Sequence, residues 1–102
     1  MKIDFNQSMS MVKRMIKLAD KNILDKQLVR KQLLSIAEYA KEERLFKAAA
    51  ATQKCLQKIS KKVYLKTIID DLTKLMILLK KEKFHAFAEH EANLWLYTIT
   101  NQ

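Results

Sequence analysis

Residues Leu65–Leu79, LKTIIDDLTKLMILL, carry the clearest structural signal in this chain. Their large apolar side chains recur every three or four residues: Leu65, Ile68, Ile69, Leu72, Leu75, Met76 and Leu79. This spacing matches the 3.6-residue turn of an α-helix that buries one face. The stretch therefore predicts an amphipathic helix, and similar spacing occurs almost everywhere else in the sequence.

Glycine and proline are both absent from the 102 residues, although average usage would supply roughly 7 and 5 of them. Walker loops, dinucleotide fingerprints, nucleophile elbows and EF-hand loops each need glycine for a positive φ or a close backbone approach. The composition excludes these sites. It also predicts that helices end where the apolar stripe shifts, rather than at glycine or proline.

The apolar spacing predicts five helices, at about 6–21, 26–41, 44–59, 62–80 and 83–99. The stripe steps by five residues from Ala40 to Leu45 and again from Leu79 to Phe84. Each step rotates it by about 140°, at about 100° per residue. Turns are therefore expected at 41–43 and at 80–83.

The remaining boundaries depend on weaker signals. Asn6 or Ser8 is the predicted cap of the first helix, and Asp25 that of the second. Ile59 and Val63 stay in phase across Ser60, so either a new helix begins there or one long helix continues through it.

Together these elements predict an all-α single domain, an antiparallel bundle of four to five helices. The two phase steps are 39 residues apart, so two stacked helical hairpins at about 26–58 and 62–99 are an alternative arrangement. The first hairpin resembles a tetratricopeptide repeat over about 20 residues. Where that repeat has Tyr, Tyr, Ala, Ala and Leu, this chain has Tyr39, Leu45, Ala48, Cys55 and Leu56, with Glu43 at the repeat's glycine position. An ordinary bundle of two antiparallel hairpins would give the same pattern.

The chain is strongly basic, with a formal net charge of +9. Such a charge favours acidic partners, which include nucleic acid, anionic lipid and acidic proteins. Of the 20 basic residues 17 are lysine, whereas bidentate recognition of bases and phosphates relies on arginine.

Lysines spaced by four residues are the predicted anion- or partner-binding site. This ladder contains Lys54, Lys58, Lys62 and Lys66, with Lys61 adjacent. A second ladder contains Lys13, Lys17 and Lys21, with Arg14 beside it. The alternative interpretation of both ladders is a solvated face in a lysine-rich protein.

The C-terminal segment differs from the rest. Residues 1–83 carry 20 basic and 9 acidic side chains, whereas residues 84–102 carry none and two. Leu94, Trp95 and Tyr97 surround most of the last predicted helix. Either that helix is buried on two sides, or these three residues form an apolar contact for a partner or a second copy.

No arrangement of residues points to catalysis. Cys55 is the only cysteine, lies on an apolar stripe and is expected to be a small buried hydrophobe. His85, Glu89 and His90 form H-x-x-x-E-H, which does not match the spacing of zinc-binding helices. We therefore predict no catalytic residue, no metal, no cofactor and no small-molecule substrate.

No apolar run approaches the length of a membrane span, since the longest is the five residues Leu75–Leu79. The sequence predicts a cytoplasmic, non-enzymatic interaction or regulatory protein that binds a macromolecule, with an acidic protein as the expected partner. One alternative is a nucleic-acid-binding regulator that uses the Lys54–Lys66 ladder. Another is a protein of the bacteriocin-immunity type, which this chain resembles in size, charge and helix content.

Overall fold

A computed structural model describes the backbone of residues 2–60 and 65–100 and the side chains of 2–60 and 67–85. The regular structure of these residues is entirely helical and contains no strand, which confirms the all-α prediction for the described chain. The elements are α1 (Phe5–Asp20), α2 (Lys26–Glu42), α3 (Phe46–Ser60), a short 3-10 helix (Leu65–Ile68) and α4 (Ile69–Thr100). No helix in the described part is long and apolar enough to cross a membrane.

Aspartates cap the first two helices. Asp4 begins α1 with a capping box: its Oδ1 accepts a hydrogen bond from the Gln7 N–H at 2.7 Å, and Gln7 Oε1 accepts from the Asp4 N–H at 2.9 Å. The predicted caps Asn6 and Ser8 are therefore wrong, because both lie inside the helix. Asp25 caps α2, as predicted, by accepting from the Gln27 N–H at 3.2 Å.

Two helices end in left-handed turns that normally take glycine. Asn22 after α1 and Arg44 after α2 both have φ 58°. Beyond Arg44, the Leu45 N–H reaches back to the Ala40 carbonyl at 2.8 Å, so the turn closes as a Schellman motif. The predicted turn at 41–43 lies slightly later in the structure, after Glu42.

The predicted turn at 80–83 is wrong, and so are the five-helix count and the second stacked hairpin. α4 is one helix of 32 residues through this point. Leu79 is fully buried and Phe84 is 69% exposed. The five-residue step therefore marks a change of the apolar face within one helix rather than a chain reversal.

Glu82 explains why residues 80–83 stay helical. Leu45 precedes α3 and has no polar side chain to cap it, so the first N–H groups of α3 need another acceptor. Glu82 supplies it across the fold: its Oε1 accepts from the Ala48 N–H at 2.6 Å and its Oε2 from the Lys47 N–H at 3.2 Å. The side chain thus joins α4 to the start of α3.

All four helices contribute to one apolar core, with fully buried side chains that include Val12, Met15, Val29, Leu33, Ile36, Ile59, Ile68, Leu72, Leu75 and Leu79. The Cα extents of 60 × 21 × 19 Å show an elongated molecule. α4 accounts for this shape, because its 32 residues span about 48 Å at 1.5 Å per residue, whereas α1–α3 have 15 to 17 residues each.

Candidate interaction site

The lysine ladder is divided between two elements. Lys54 is exposed on α3, which ends at Ser60, so one helix does not continue through that residue. Lys66 lies in the 3-10 helix, but its side chain is outside the described residues, and Lys61 and Lys62 are outside them entirely. The structure thus describes the side chains of only Lys54 and Lys58 in this ladder, and the shared face of all five lysines stays a prediction.

Lys58 has an internal partner. Its Nζ lies 2.6 Å from Asp71 Oδ2 on α4. The hydrogen bond and the charge of Asp71 raise the pKa of the Lys58 ammonium above its usual range. Asp71 thus pairs with a lysine of another helix rather than with one along its own. Lys58 thus connects α3 to α4, and its charge is partly neutralised.

The second ladder is fully described and entirely exposed. Lys13, Arg14, Lys17 and Lys21 all present accessible side chains along α1 and just beyond its end. The only acidic residue from Phe5 to Lys21 is Asp20. These four residues, called the α1 basic face below, form an exposed cluster of positive charge with helical spacing.

The Cys55 thiol and the Tyr39 hydroxyl both have pKa values raised above their usual ones. Burial, together with Asp71, raises the pKa of the Cys55 thiol to about 11, so the thiol stays protonated near neutral pH. Burial, then Glu43 and Asp4, raises the pKa of Tyr39 to about 12. The Tyr39 hydroxyl is buried and has no hydrogen-bond partner among the described residues. Neither group is a nucleophile under these conditions.

One end of the molecule has an open groove lined by charged side chains. An open groove of about 460 Å³ includes Lys2, Asp4, Tyr39, Glu43 and Lys83 in its lining. Two ion pairs cross this end of the molecule, Lys2 with Glu42 and Lys83 with Glu43, each at 3.7 Å. Among the described residues, no group of three or more His, Cys, Asp or Glu side chains could hold a metal ion.

Exposed apolar side chains lie on both sides of the contact between Glu82 and the start of α3. Phe84 is 69% exposed on α4, and Phe46 is 65% exposed at the first turn of α3. Glu82, two residues before Phe84, contacts that same first turn. Sequence spacing had placed Phe84 on a buried stripe, and only the tertiary contacts show it in solvent.

The predicted apolar contact is only partly visible. Leu94, Trp95 and Tyr97 lie on the helical backbone of α4, but their side chains are outside the described residues. His85 is exposed, and its ring meets that of Phe84 edge-on at a centroid distance of 6.3 Å.

Comparison with protein-family models, curated proteins and solved structures finds no match to this chain.

Proposed function

We propose that this chain is a non-enzymatic interaction protein that binds a macromolecular partner, with an acidic protein as the first candidate. One observation carries the proposal: α4 continues as a helix to Thr100, well past Leu79, which is the last buried residue of α4 among the side chains described up to His85. Residues 84–100 are called the α4 extension below. They are rich in apolar side chains and contain no lysine or arginine, a composition suited to burial against another chain.

The architecture behind this proposal is an antiparallel four-helix bundle. Two contacts between α3 and α4 support it. Lys58, near the end of α3, pairs with Asp71 near the start of α4. Ala48, near the start of α3, binds Glu82 farther along α4. Contacts in that order are those expected between two helices that run in opposite directions.

Charge gives the two parts different roles. The α1 basic face would attract an acidic partner over a distance, since clustered like charges raise the rate of encounter with an opposite surface. The α4 extension would then supply apolar contact area, which contributes most of the affinity in protein interfaces. The proposed location is the cytoplasm.

Affinity purification with three full-length proteins tests this proposal. These are the wild type, Trp95→Glu in the α4 extension, and the control Leu34→Glu, which alters a 53% exposed leucine on α2. We expect an acidic protein to bind wild type and Leu34→Glu but not Trp95→Glu, and to bind again when both components are purified. If every bound protein is retained equally by all three, the proposal is wrong.

A nucleic-acid-binding regulator is the second candidate, and the exposed α1 basic face favours it. Phosphate contacts predict that the logarithm of the binding constant falls steeply with the logarithm of salt concentration. Filter binding to duplex and single-stranded DNA at two salt concentrations tests this, with Lys17→Glu as the variant that weakens binding and reduces the slope. Absence of binding even at low salt would exclude it. The bacteriocin-immunity interpretation stays a prediction that no described contact favours.

A further inference from the structure

Seven exposed cations lie on the outer sides of α1 and of the part of α4 that packs in the core. None of them is within ion-pair distance of a carboxylate among the described residues. They are Lys13, Arg14, Lys17 and Lys21 on α1, and Lys74, Lys80 and Lys81 on α4.

The two groups of cations belong to neighbouring helices. Asp4, which caps α1, lines the same groove as Lys83 of α4, and α1 also contacts the 3-10 helix that precedes α4. α1 therefore lies beside the core part of α4. Their outer sides together, called the α1–α4 face below, carry the seven cations and two exposed carboxylates, a net formal charge of +5. Both carboxylates are at one end of the face, since Asp20 is the last residue of α1 and Asp70 the second of α4.

Most of the other described carboxylates have partners away from this face. Asp71 and Glu82 contact α3, one through Lys58 and the other through two backbone N–H groups. The remaining four are engaged in caps or ion pairs: Asp4, Asp25, Glu42 and Glu43. Because these contacts hold negative charge elsewhere, the α1–α4 face keeps its excess of positive charge.

Two large apolar side chains lie among the lysines of α4. Ile77 is 53% exposed and Phe84 is 69% exposed, and they are about 20° apart around the helix, at about 100° per residue. By the same count Ile77 is about 120° from Asp71 and Phe84 about 160° from Glu82, so both face away from α3. The lysines within about 60° of Ile77 are Lys74, Lys80 and Lys81.

We propose that the α1–α4 face binds the surface of an anionic lipid bilayer. The lysines would lie against the headgroups, while Ile77 and Phe84 enter the boundary between headgroups and acyl chains. Reversible attachment to a membrane surface takes two signals of this kind, electrostatic attraction to anionic lipid and buried apolar area. This inference goes beyond the proposed function, because the α4 extension is not part of the face.

The composition of the face favours lipid over nucleic acid. Six of its seven cations are lysine, whereas arginine is the usual residue for bidentate phosphate and base recognition. Exposed apolar side chains also gain little against a phosphodiester backbone, but a bilayer surface accepts them beside lysine. The cytoplasmic leaflet carries the negative surface potential that such a face requires, which agrees with the proposed location.

Co-sedimentation of the full-length protein with vesicles tests the charge. We expect binding to an equimolar mixture of phosphatidylglycerol and phosphatidylcholine, no binding to phosphatidylcholine alone, and loss of binding when salt shortens the Debye length from about 10 Å to about 3 Å. Lys17→Glu should weaken binding about 25-fold, since it reverses one charge and each unit of charge contributes about fivefold. The control Lys31→Glu makes the same change on the exposed side of α2 and should bind nearly as wild type.

Equal losses in the two glutamate variants would show an effect of net charge alone and overturn the inference. So would equal binding to neutral vesicles. If vesicles do not bind but duplex DNA does, and Lys17→Glu weakens that binding, the face belongs to nucleic acid instead. A failure with vesicles leaves the proposed function standing if the affinity purification described above still finds a partner that Trp95→Glu loses.

A second pair of variants tests the apolar contact. Phe84→Ser should weaken vesicle binding about tenfold, because it removes most of the apolar surface that the bilayer would bury. Leu34→Ser, at a 53% exposed leucine of α2, is the matched control and should bind as wild type. Circular dichroism checks that both variants keep the helix content of wild type. Unchanged binding of Phe84→Ser would overturn the insertion of this side chain.

Discussion

The two parts of α4 have similar helical backbones but different surroundings. From Ile69 to Leu79 the helix presents Leu72, Leu75 and Leu79 to the core, and all three are fully buried. Phe84, beyond the charged residues 80–83, lies on another side of the helix and is 69% exposed. Along the described part of α4, the burial of an apolar residue therefore depends on the side of the helix that it occupies.

Between the two parts, polar contacts keep the helix continuous. Glu82 caps the start of α3, and Lys83 lies 3.7 Å from Glu43 in the loop before it. Substitutions in each part and at this junction should therefore have separable effects, and the following four are ordered by expected size.

Removal of a buried leucine gives the largest contrast. Leu75→Ala should lower the free energy of unfolding by about 3 kcal/mol, because it leaves a cavity where a fully buried side chain packed. Ile77→Ala, two residues away and 53% exposed, should change it by less than about 0.5 kcal/mol. Urea denaturation measures both. Equal losses would show that the two sides of α4 are not distinguished as the structure describes.

Loss of the cap at the junction comes next. Glu82→Ala should cost about 1–2 kcal/mol, because the Lys47 and Ala48 N–H groups lose a charged acceptor at a helix N-terminus. Glu82→Gln should cost less, since it keeps one acceptor oxygen. Lys81→Ala, at the exposed neighbouring position, serves as the control in thermal denaturation. No difference between the alanine variants would contradict the role of Glu82.

The buried hydroxyl of Tyr39, in the groove that Glu43 and Lys83 also line, offers a pH-dependent test. Tyr39→Phe should raise the free energy of unfolding at pH 7 by about 1 kcal/mol, because the hydroxyl is buried without a hydrogen-bond partner. The pKa of Tyr39 is about 12 in the fold against a usual value of 10.0. The unfolded chain therefore loses this proton first as the pH rises.

It follows that wild type should lose stability relative to Tyr39→Phe between pH 10 and pH 12, after a constant difference at lower pH. Urea denaturation at pH 8, 10 and 11 follows the difference. A constant difference over this whole range would mean that the phenol titrates alike in the folded and unfolded states.

The left-handed turn next to the junction gives the smallest effect. Arg44→Gly should raise the free energy of unfolding by about 0.5–1 kcal/mol, since glycine adopts φ 58° without the penalty of a Cβ atom. Asn22→Gly should raise it less, because asparagine tolerates this conformation better. Thermal midpoints compare the two. A loss of stability in Arg44→Gly would show that the arginine side chain makes a contact that outweighs the strain.

Local patterns in the sequence predicted the helices well. Asp25 was recognised as a cap from its own residue type and position, and the turn after α2 from the step between Ala40 and Leu45. The same rule failed at Leu79 to Phe84, because a phase step records a change of face and does not say whether the chain also turns. The cap from Glu82, 34 residues from its partner Ala48, has no local signal.

For the candidate site too, some features could be predicted from the sequence and others depend on tertiary contacts. Sequence spacing placed Lys58 in a lysine ladder. It did not predict that Asp71, which lies 13 residues away on another helix, partly neutralises its charge. Sequence spacing also did not predict that Phe46 is 65% exposed or that the α1 basic face is exposed, because burial depends on which helices pack together. The predicted contacts at Leu94, Trp95 and Tyr97 remain predictions.

By itself, the sequence determined an all-α chain, because helical periodicity and the absence of glycine and proline act within a few neighbouring residues. It also determined the charge contrast between the first 83 residues and the rest, which is a matter of composition. Only the tertiary structure decided that α4 is one helix, that Lys58 is paired and that Phe84 meets solvent. Each of these depends on groups distant in sequence, and their contact energies exist only once the helices have packed.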